Sequence, residues 1–280
     1  MRLFVDQLTN LDFSYLDATR GVVGETWLAN IELEGELDEQ GMVVDFGNIK
    51  KIIRNWLDST VDHKLLVPLN SPSLTHTHND DSDHIIWQYS HGFLETQAPT
   101  QSHCHIPCKE ITPTSVAAWC AQELKQYFPE SVQKLTLSFT SEVINGPYYH
   151  YTHGLKRHLG NCQRIAHGHR SRIDIWQDGE LSNQLMHDWA RKWADIYVGT
   201  AQDCLPDEKR AENHLFRYKA QQGEFEISLP KTSCYIMPTD TTVELIADHI
   251  ASTLKEQLPK SSIKVRAYEG IAKGAIVEKP

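Results

Sequence analysis

Apolar and polar residues alternate along several segments of the chain with the period of a β-strand. In Thr26–Asp38, Ile31 and Leu33 alternate with polar neighbours, and this pattern predicts a strand that ends in a turn. After the turn, Asp45 is placed to cap a helix, because apolar residues recur at helical spacing over Phe46–Leu57. The first part of the chain therefore predicts a strand followed by an amphipathic helix.

A long polar segment follows this helix. Residues Asn70–Gln101 are rich in Ser, Thr, His, Asp and Pro, and their weak periodicity predicts a long loop with one short strand at Ile85–Tyr89. Beyond it, the pattern predicts a helix from Pro113 to about Tyr127 and a strand over Gln133–Ser141.

The second half of the chain repeats this order of elements. It predicts a strand at Ser171–Trp176, a helix at Leu185–Ile196, a helix at Thr242–Leu258 and a strand at Ile263–Tyr268, with an insert near Lys209–Gln222. A duplicated α+β unit explains both halves. We place the domains at residues 1–144 and 145–280, with the boundary near Ile144 to Pro147.

Composition restricts the class of protein. A formal net charge of -10 argues against general nucleic-acid binding, which needs surplus Lys and Arg. Six cysteines in 280 residues are too sparse for a disulfide scaffold and fit a reducing compartment. No uncharged apolar run is long enough to span a membrane. We therefore expect a cytoplasmic protein with neither a nucleic-acid nor a membrane partner.

One segment is locally positive. No acidic residue occurs between Glu142 and Asp174, where five histidines accompany Lys156, Arg157, Arg164, Arg170 and Arg172. These side chains either form a pocket for an anionic ligand or lie solvated at the surface.

A His-Gly-His motif in this segment suggests a metal site. His167 and His169 lie two apart at the start of a predicted strand, so both imidazoles point to one face. A third imidazole is available from His153, with His150 as the fallback. Three neutral histidines with an open position form a catalytic zinc pattern. The alternative is a pair of strand histidines bonded to backbone or carboxylate groups.

Two cysteine-containing segments add candidate chemistry. Cys162 lies among basic residues, where cations and a metal would favour its thiolate as a proton acceptor. It could otherwise be inert, or a fourth ligand in a closed zinc site. The segment His103-Cys104-His105-Ile106-Pro107-Cys108 is an alternative, separate metal site, although no second ligand pair of standard spacing accompanies it.

Longer strings of residues resemble one enzyme family. The matching strings are Tyr149–Arg170, with its aromatic start, His153-Gly154-Leu155, Cys162 and His167-Gly168-His169; Thr242–Ala247; Val265–Glu269; Gly35–Phe46; and Val61-Asp62-His63-Lys64-Leu65-Leu66. They are similar to motifs of the 6-pyruvoyl/6-carboxytetrahydropterin synthases. The resemblance implies two tandem tunnelling-fold units, each an antiparallel ββααββ-type sheet with helices on one face.

The resemblance also implies roles for individual residues. Zinc would be held by His153, His167 and His169; Cys162, Asp62 and His63 would be catalytic; Glu269 and Glu244 would bind the pterin; Arg164 and Arg170 would bind its triphosphate. The implied reaction converts 7,8-dihydroneopterin triphosphate to 6-carboxy-5,6,7,8-tetrahydropterin, triphosphate and acetaldehyde. Alternatives are the 6-pyruvoyl product, or a non-catalytic pterin- or purine-binding protein with structural zinc.

Each half lacks what the other retains. The first half has Phe13–Asp17 and Val23–Thr26 where the zinc motifs should lie, and Ser115 replaces a glutamate of its second helix. The second half has Val198–Cys204 where the Asp-His pair should lie. Because this family builds its sites between subunits, the resemblance implies composite sites, with zinc and cysteine from one unit and the Asp-His pair from another. Open strand edges further predict a homo-oligomer.

Overall fold

The computed structural model describes residues 1–280 as two halves with a shared order of elements. The first half contains β1 (Arg2–Asp17), β2 (Gly21–Gly35), α1 (Phe46–Thr60), β3 (Leu65–Pro68), β4 (Leu74–Asn79), β5 (Ser82–Tyr89), β6 (Gly92–Pro99), β7 (His103–Ile106), α2 (Pro113–Leu124) and β8 (Val132–Ser141).

The second half contains β9 (Tyr148–His153), β10 (His167–Gln177), β11 (Glu180–Leu181), α3 (Asn183–Lys192), β12 (Ile196–Thr200), β13 (Cys204–Pro206), β14 (Asn213–Ala220), β15 (Gly223–Pro230), β16 (Cys234–Met237), α4 (Val243–Gln257), β17 (Ile263–Tyr268) and β18 (Gly274–Lys279). The predicted duplicated α+β architecture is confirmed.

The sheet of the first half has the strand order β7-β3-β1-β2-β8. Its long β1–β2 hairpin is antiparallel, whereas β3 and β7 add in parallel at one edge, so the sheet is mixed. Helix α1 begins after Asp45, whose carboxylate accepts hydrogen bonds from two backbone N–H groups. The helix buries Ile49, Ile53 and Leu57 in the core of this half. The predicted cap and apolar stripe are therefore confirmed.

The second half builds the corresponding sheet, β16-β12-β9-β10-β17-β18, with β11 beside β10. The predicted helix over Leu185–Ile196 is too long. Helix α3 ends at Lys192, and Asp195 has a φ of 55°, a left-handed conformation that turns the chain into β12. Ile196 is therefore the first residue of a strand, not the last of a helix.

A third sheet replaces the predicted long loop. Strands β4, β5 and β6 of the first insert join β13, β14 and β15 of the second in one six-stranded sheet, in which β6 pairs with β15. Buried Ile85, Trp87 and Leu94 line its inner face. The loop prediction for Asn70–Gln101 was wrong because polar His, Asp and Thr residues occupy alternate positions. The partner strands also come from the other half of the chain.

The two halves pack closely where β2 crosses β10. A Cβ atom on Gly168 would lie 2.4 Å from the Tyr151 carbonyl oxygen and 2.6 Å from Gly24 Cα. Beside this point, the hydroxyls of Ser14 and Thr152 are hydrogen bonded at 2.8 Å. The glycine between the two motif histidines therefore admits the other half of the chain. None of the four helices is long and apolar enough to cross a membrane.

Candidate active site

Three histidines of the second half converge on one buried point. His153 ends β9 directly opposite His167, which begins β10, because the antiparallel register pairs these residues. His169 follows on the same face of β10. One nitrogen of each ring lies within 4.8 Å of the other two, and all three side chains are buried. His150, the fallback ligand, instead lies 2.7 Å from the Gly24 carbonyl oxygen.

The three rings are oriented through their Nδ1 atoms. Each Nδ1 faces an oxygen at 3.0–3.1 Å: the Thr241 carbonyl for His153, the Arg164 carbonyl for His167 and the Asp12 carboxylate for His169. The Asp12 contact is at ion-pair distance without hydrogen-bond alignment. All three Nε2 atoms are buried and have no hydrogen-bond partner. Metal-bound histidines commonly use one nitrogen as ligand and the other as donor to an oxygen, so these residues fit a metal ion.

The cluster favours neutral imidazoles. Burial lowers the pKa of His153 and of His167 well below the ordinary value, and positive charge on neighbouring imidazoles lowers both further. The ring centroids of these two residues are 4.4 Å apart, so two imidazolium ions would repel each other strongly. Neutral imidazole is the form that binds a metal.

Asp62 and His63 form a tight pair in the turn after α1. His63 has a φ of 53°, and its Nδ1 lies 2.5 Å from Asp62 Oδ2. Asp12 fixes this turn, because its backbone N–H donates to Asp62 Oδ1 at 2.8 Å and its carbonyl accepts from the His63 N–H at 2.7 Å. Burial opposes protonation of His63, but Asp62 and Cys162 together raise its pKa to about 10. The pair therefore stabilises an imidazolium ion.

Cys162 lies between this pair and the histidine cluster. It sits in a 3₁₀ turn, Asn161–Gln163, and its Sγ is within 4.8 Å of a ring nitrogen of both His63 and His167. The rings of His63 and His167 are 5.1 Å apart. Thus the thiol and triad of the second half meet the Asp-His pair of the first half within one chain.

Asp12 is a site residue that sequence reasoning missed. Its Oδ1 accepts a hydrogen bond from the Thr26 hydroxyl at 2.6 Å, and Lys273 Nζ is 3.2 Å from its Oδ2. Burial opposes ionisation of Asp12, but His169 and Lys273 hold its pKa well below the usual range. The available signal was a carboxylate inside the apolar run Leu11–Phe13.

Two of the four predicted substrate-binding residues adjoin the cluster. Glu269 follows β17, and its Oε1 lies 3.9 Å from His169 Nε2. The Arg164 guanidinium donates to the His63 carbonyl at 3.3 Å and to the Gln222 side chain at 3.1 Å. Arg164 therefore braces the turn that carries the Asp-His pair.

The other two predicted substrate-binding residues are placed differently. Arg170 alternates with His169 along β10, donates to the Glu142 carbonyl at 2.8 Å and stacks over Tyr148. Glu244 is exposed in the first turn of α4, and no hydrogen bond or ion pair joins it to the cluster. The structure therefore does not bring Arg170 to the histidines, and it gives Glu244 no contact with them.

The positive character of the Glu142–Asp174 segment is largely compensated. Lys156 is paired with Asp203, and Arg157 lies 3.3 Å from the Asp240 carboxylate. An anionic ligand at the cluster would therefore meet Arg164 rather than the whole basic run.

The structure also corrects the comparison of the two halves. Strand register places Tyr15, Val23 and Glu25 of the first half at the positions of the three histidines. The turn that corresponds to Asp62-His63 is Ala194-Asp195, because it joins α3 to β12 as Asp62-His63 joins α1 to β3. The prediction that Val198–Cys204 occupies this place was wrong, since those residues lie one element later.

Comparison with known proteins adds a family match. The model of the family described as 6-pyruvoyl tetrahydropterin synthase matches the chain twice, over residues 15–145 and 142–280. Over 57 residues, the chain is 33% identical to a protein of Pyrococcus horikoshii that is provisionally named a 6-carboxy-5,6,7,8-tetrahydropterin synthase, and 35% identical to one of Pyrococcus abyssi with the same name. Each match covers 20% of this chain and 33% of the relative, so the chain spans about a third of the length of these relatives.

Solved structures of low similarity also match. A Plasmodium vivax 6-pyruvoyltetrahydropterin synthase is 20% identical with a TM-score of 0.43, and the match covers 52% of this chain and 93% of that one. A catalytic-residue mutant from the same organism is 20% identical with a TM-score of 0.42, covering 50% and 90%.

Proposed function

The chain belongs to the 6-pyruvoyl tetrahydropterin synthase family, with two family domains in tandem, and on this premise we propose that it is a zinc-dependent lyase of the 6-carboxytetrahydropterin synthase type. Its substrate is 7,8-dihydroneopterin triphosphate, and its products are 6-carboxy-5,6,7,8-tetrahydropterin, triphosphate and acetaldehyde. The family match carries the predicted tandem tunnelling-fold architecture with it.

One observation carries the proposal. Three buried, unpartnered Nε2 atoms lie beside a thiol and an Asp-His pair, and these groups come from complementary halves of one chain. Neither half has both sets, yet the packing of β2 against β10 brings them together. A chain that had lost catalysis would not need this complementarity.

The chain's own residues supply the proton transfers. Cys162 takes a proton from the substrate side chain, and His63 donates or accepts a proton on the same side of the cluster. Asp62 holds the His63 ring through Nδ1, which fixes the tautomer and stabilises the imidazolium. Zinc at the three imidazoles would supply a Lewis acid that makes the protons beside the side-chain oxygens more acidic.

Binding follows from charge and hydrogen-bond complementarity. The Glu269 carboxylate accepts hydrogen bonds from adjacent N–H donors of the amino-pyrimidine ring. Arg164 lies beside the His63 turn with Lys64 as a cationic neighbour, so these two side chains can meet the triphosphate. Elimination of the triphosphate then follows the removal of the proton.

The test is product identification by mass spectrometry after incubation of the zinc-loaded chain with 7,8-dihydroneopterin triphosphate. We expect the 6-carboxy product and acetaldehyde from the wild type. Cys162→Ala and His63→Ala should each lose about 10²–10⁴-fold in rate, the usual contribution of an acid–base group. The matched control is His187→Ala, an exposed histidine of α3, which should retain full turnover.

Mixing the two inactive variants tests the composite site. Because both groups act within one chain, a mixture of Cys162→Ala and His63→Ala proteins should stay inactive, whereas recovered activity would place the Asp-His pair on a neighbouring chain. A 6-pyruvoyl product would assign the other reaction of the family. Tight pterin binding without turnover would overturn the proposal in favour of a non-catalytic binder.

A further inference from the structure

A second histidine cluster lies in the first half of the chain, where the insert sheet meets β7. Asp83 is fully buried in β5, and it pairs with His78 across the β4–β5 hairpin. His76 precedes His78 by two residues, and His103 and His105 lie two apart on β7. Because alternate strand residues share a face, both histidine pairs point toward the same carboxylate.

Four imidazole nitrogens surround the Asp83 carboxylate. The distances to Oδ1 are 3.2 Å from His76 Nε2 and 2.9 Å from His78 Nδ1. The distances to Oδ2 are 3.0 Å from His103 Nδ1 and 3.3 Å from His105 Nε2. Three of these nitrogens are hydrogen bonded to the carboxylate, but the buried Nε2 of His105 has no hydrogen-bond partner.

The unpartnered nitrogen distinguishes a metal site from a hydrogen-bonded carboxylate. A buried imidazole nitrogen without a partner is costly unless another atom satisfies it. The ligand atoms of His76, Asp83 and His105 lie within 4.8 Å of one another, and the rings of the two histidines are 4.7 Å apart. Two imidazoles and one carboxylate are a donor set that suits zinc and neighbouring divalent metals.

We propose that His76, Asp83 and His105 form a second divalent-metal site, for which zinc is the expected ion. His103 is a positioning residue, because its nearly inaccessible ring donates to Asp83 from the interior. His78 is half-exposed beside the carboxylate and can provide a fourth ligand. The ligands come from β4, β5 and β7, so the ion would join the insert sheet to the sheet of the first half.

The cysteines of the neighbouring motif are not part of this site. Cys104 points into the core of the first half between the two histidines, and burial raises its pKa to about 12. The partners of His103 and His105 come from the insert, about 20 to 30 residues earlier, a span outside the usual ligand spacings. The sequence alternative of a His-Cys metal loop therefore had the wrong ligand set.

The test is zinc stoichiometry of the full chain after metal loading, measured by elemental analysis. We expect two zinc ions per chain in the wild type and in the control His91→Ala/His187→Ala, which changes two exposed histidines. The variants His76→Ala/His105→Ala and His167→Ala/His169→Ala should each retain one. A wild type with a single zinc that depends on His167 and His169 would overturn the second site.

A conservative variant guards against misfolding. In the His167→Ala/His169→Ala background, His105→Gln keeps the side chain polar and should weaken the remaining zinc affinity by more than about 100-fold, the upper range for outer-sphere changes. The thermal midpoint should rise with zinc in the background protein, and this rise should disappear with His105→Gln. Unchanged zinc affinity would refute the proposal. Because these measurements need no turnover, they are independent of the proposed enzyme activity.

Discussion

Asp12→Asn tests whether the first half of the chain tunes the metal cluster of the second. The change keeps the size of the side chain and removes its charge. Asp12 is 1% exposed, and its Oδ1 lies 3.1 Å from His169 Nδ1. A carboxylate in this position raises the basicity of a histidine ligand and fixes the orientation of its ring. The variant should therefore bind zinc at the cluster more weakly.

The contacts set the size of the effect. Loss of an outer-sphere partner typically weakens metal binding by about 10- to 100-fold, equivalent to about 1.4–2.7 kcal/mol. Asparagine can still accept the hydrogen bond of Thr26, now 2.6 Å, so this contact should not add to the loss. Lys273 is half-exposed and can turn to water when its partner loses charge. Zinc affinity should thus change more than folding stability.

The assay is competition for zinc against a chromogenic chelator, with folding stability followed by urea denaturation. To isolate the cluster, both proteins carry His76→Ala/His105→Ala, which removes the other candidate site. Asp6→Asn is the matched control, because Asp6 is an exposed carboxylate of the same strand. Zinc affinity of Asp12→Asn equal to that of Asp6→Asn would refute the reasoning that Asp12 supports His169 across the two halves.

Three further predictions concern packing, pH and assembly. Gly168→Ala places a Cβ 2.4 Å from the Tyr151 carbonyl and should lower the free energy of unfolding by about 1–3 kcal/mol or more in urea denaturation, whereas Gly47→Ala should not. Burial raises the pKa of Glu25 from 4.5 to about 7, so the wild type should lose about 3 kcal/mol of stability as pH rises through this interval. Glu25→Gln should lack this loss in denaturation series at pH 5 and 8; parallel curves would contradict it. The unpaired edges of β8 and β18 should assemble copies of the chain, and Ile276→Lys on β18 should shift light-scattering masses downward; a wild-type monomer would contradict this.

Local patterns predicted the elements that are amphipathic on their own. Asp45 and the stripe from Ile49 to Leu57 define α1, because capping and helical spacing depend on neighbours in the chain. The strand Ile263–Tyr268 was predicted with the bounds that the structure gives. The insert strands escaped, because their polar faces carry histidines and aspartates, and because β6 finds its partner β15 more than a hundred residues away.

The candidate site divides in the same way. The sequence by itself determined the ligand chemistry, since His-Gly-His on a strand directs two imidazoles to one face whatever surrounds it. Only the tertiary structure decided that Asp62 and His63 reach Cys162 within one chain, that Asp12 stands behind His169, and that His76 and His105 share Asp83. These contacts depend on the packing of distant strands, and Gly24 and Gly168 permit that packing by their lack of side chains. Spacing along the chain carries no measure of such distances.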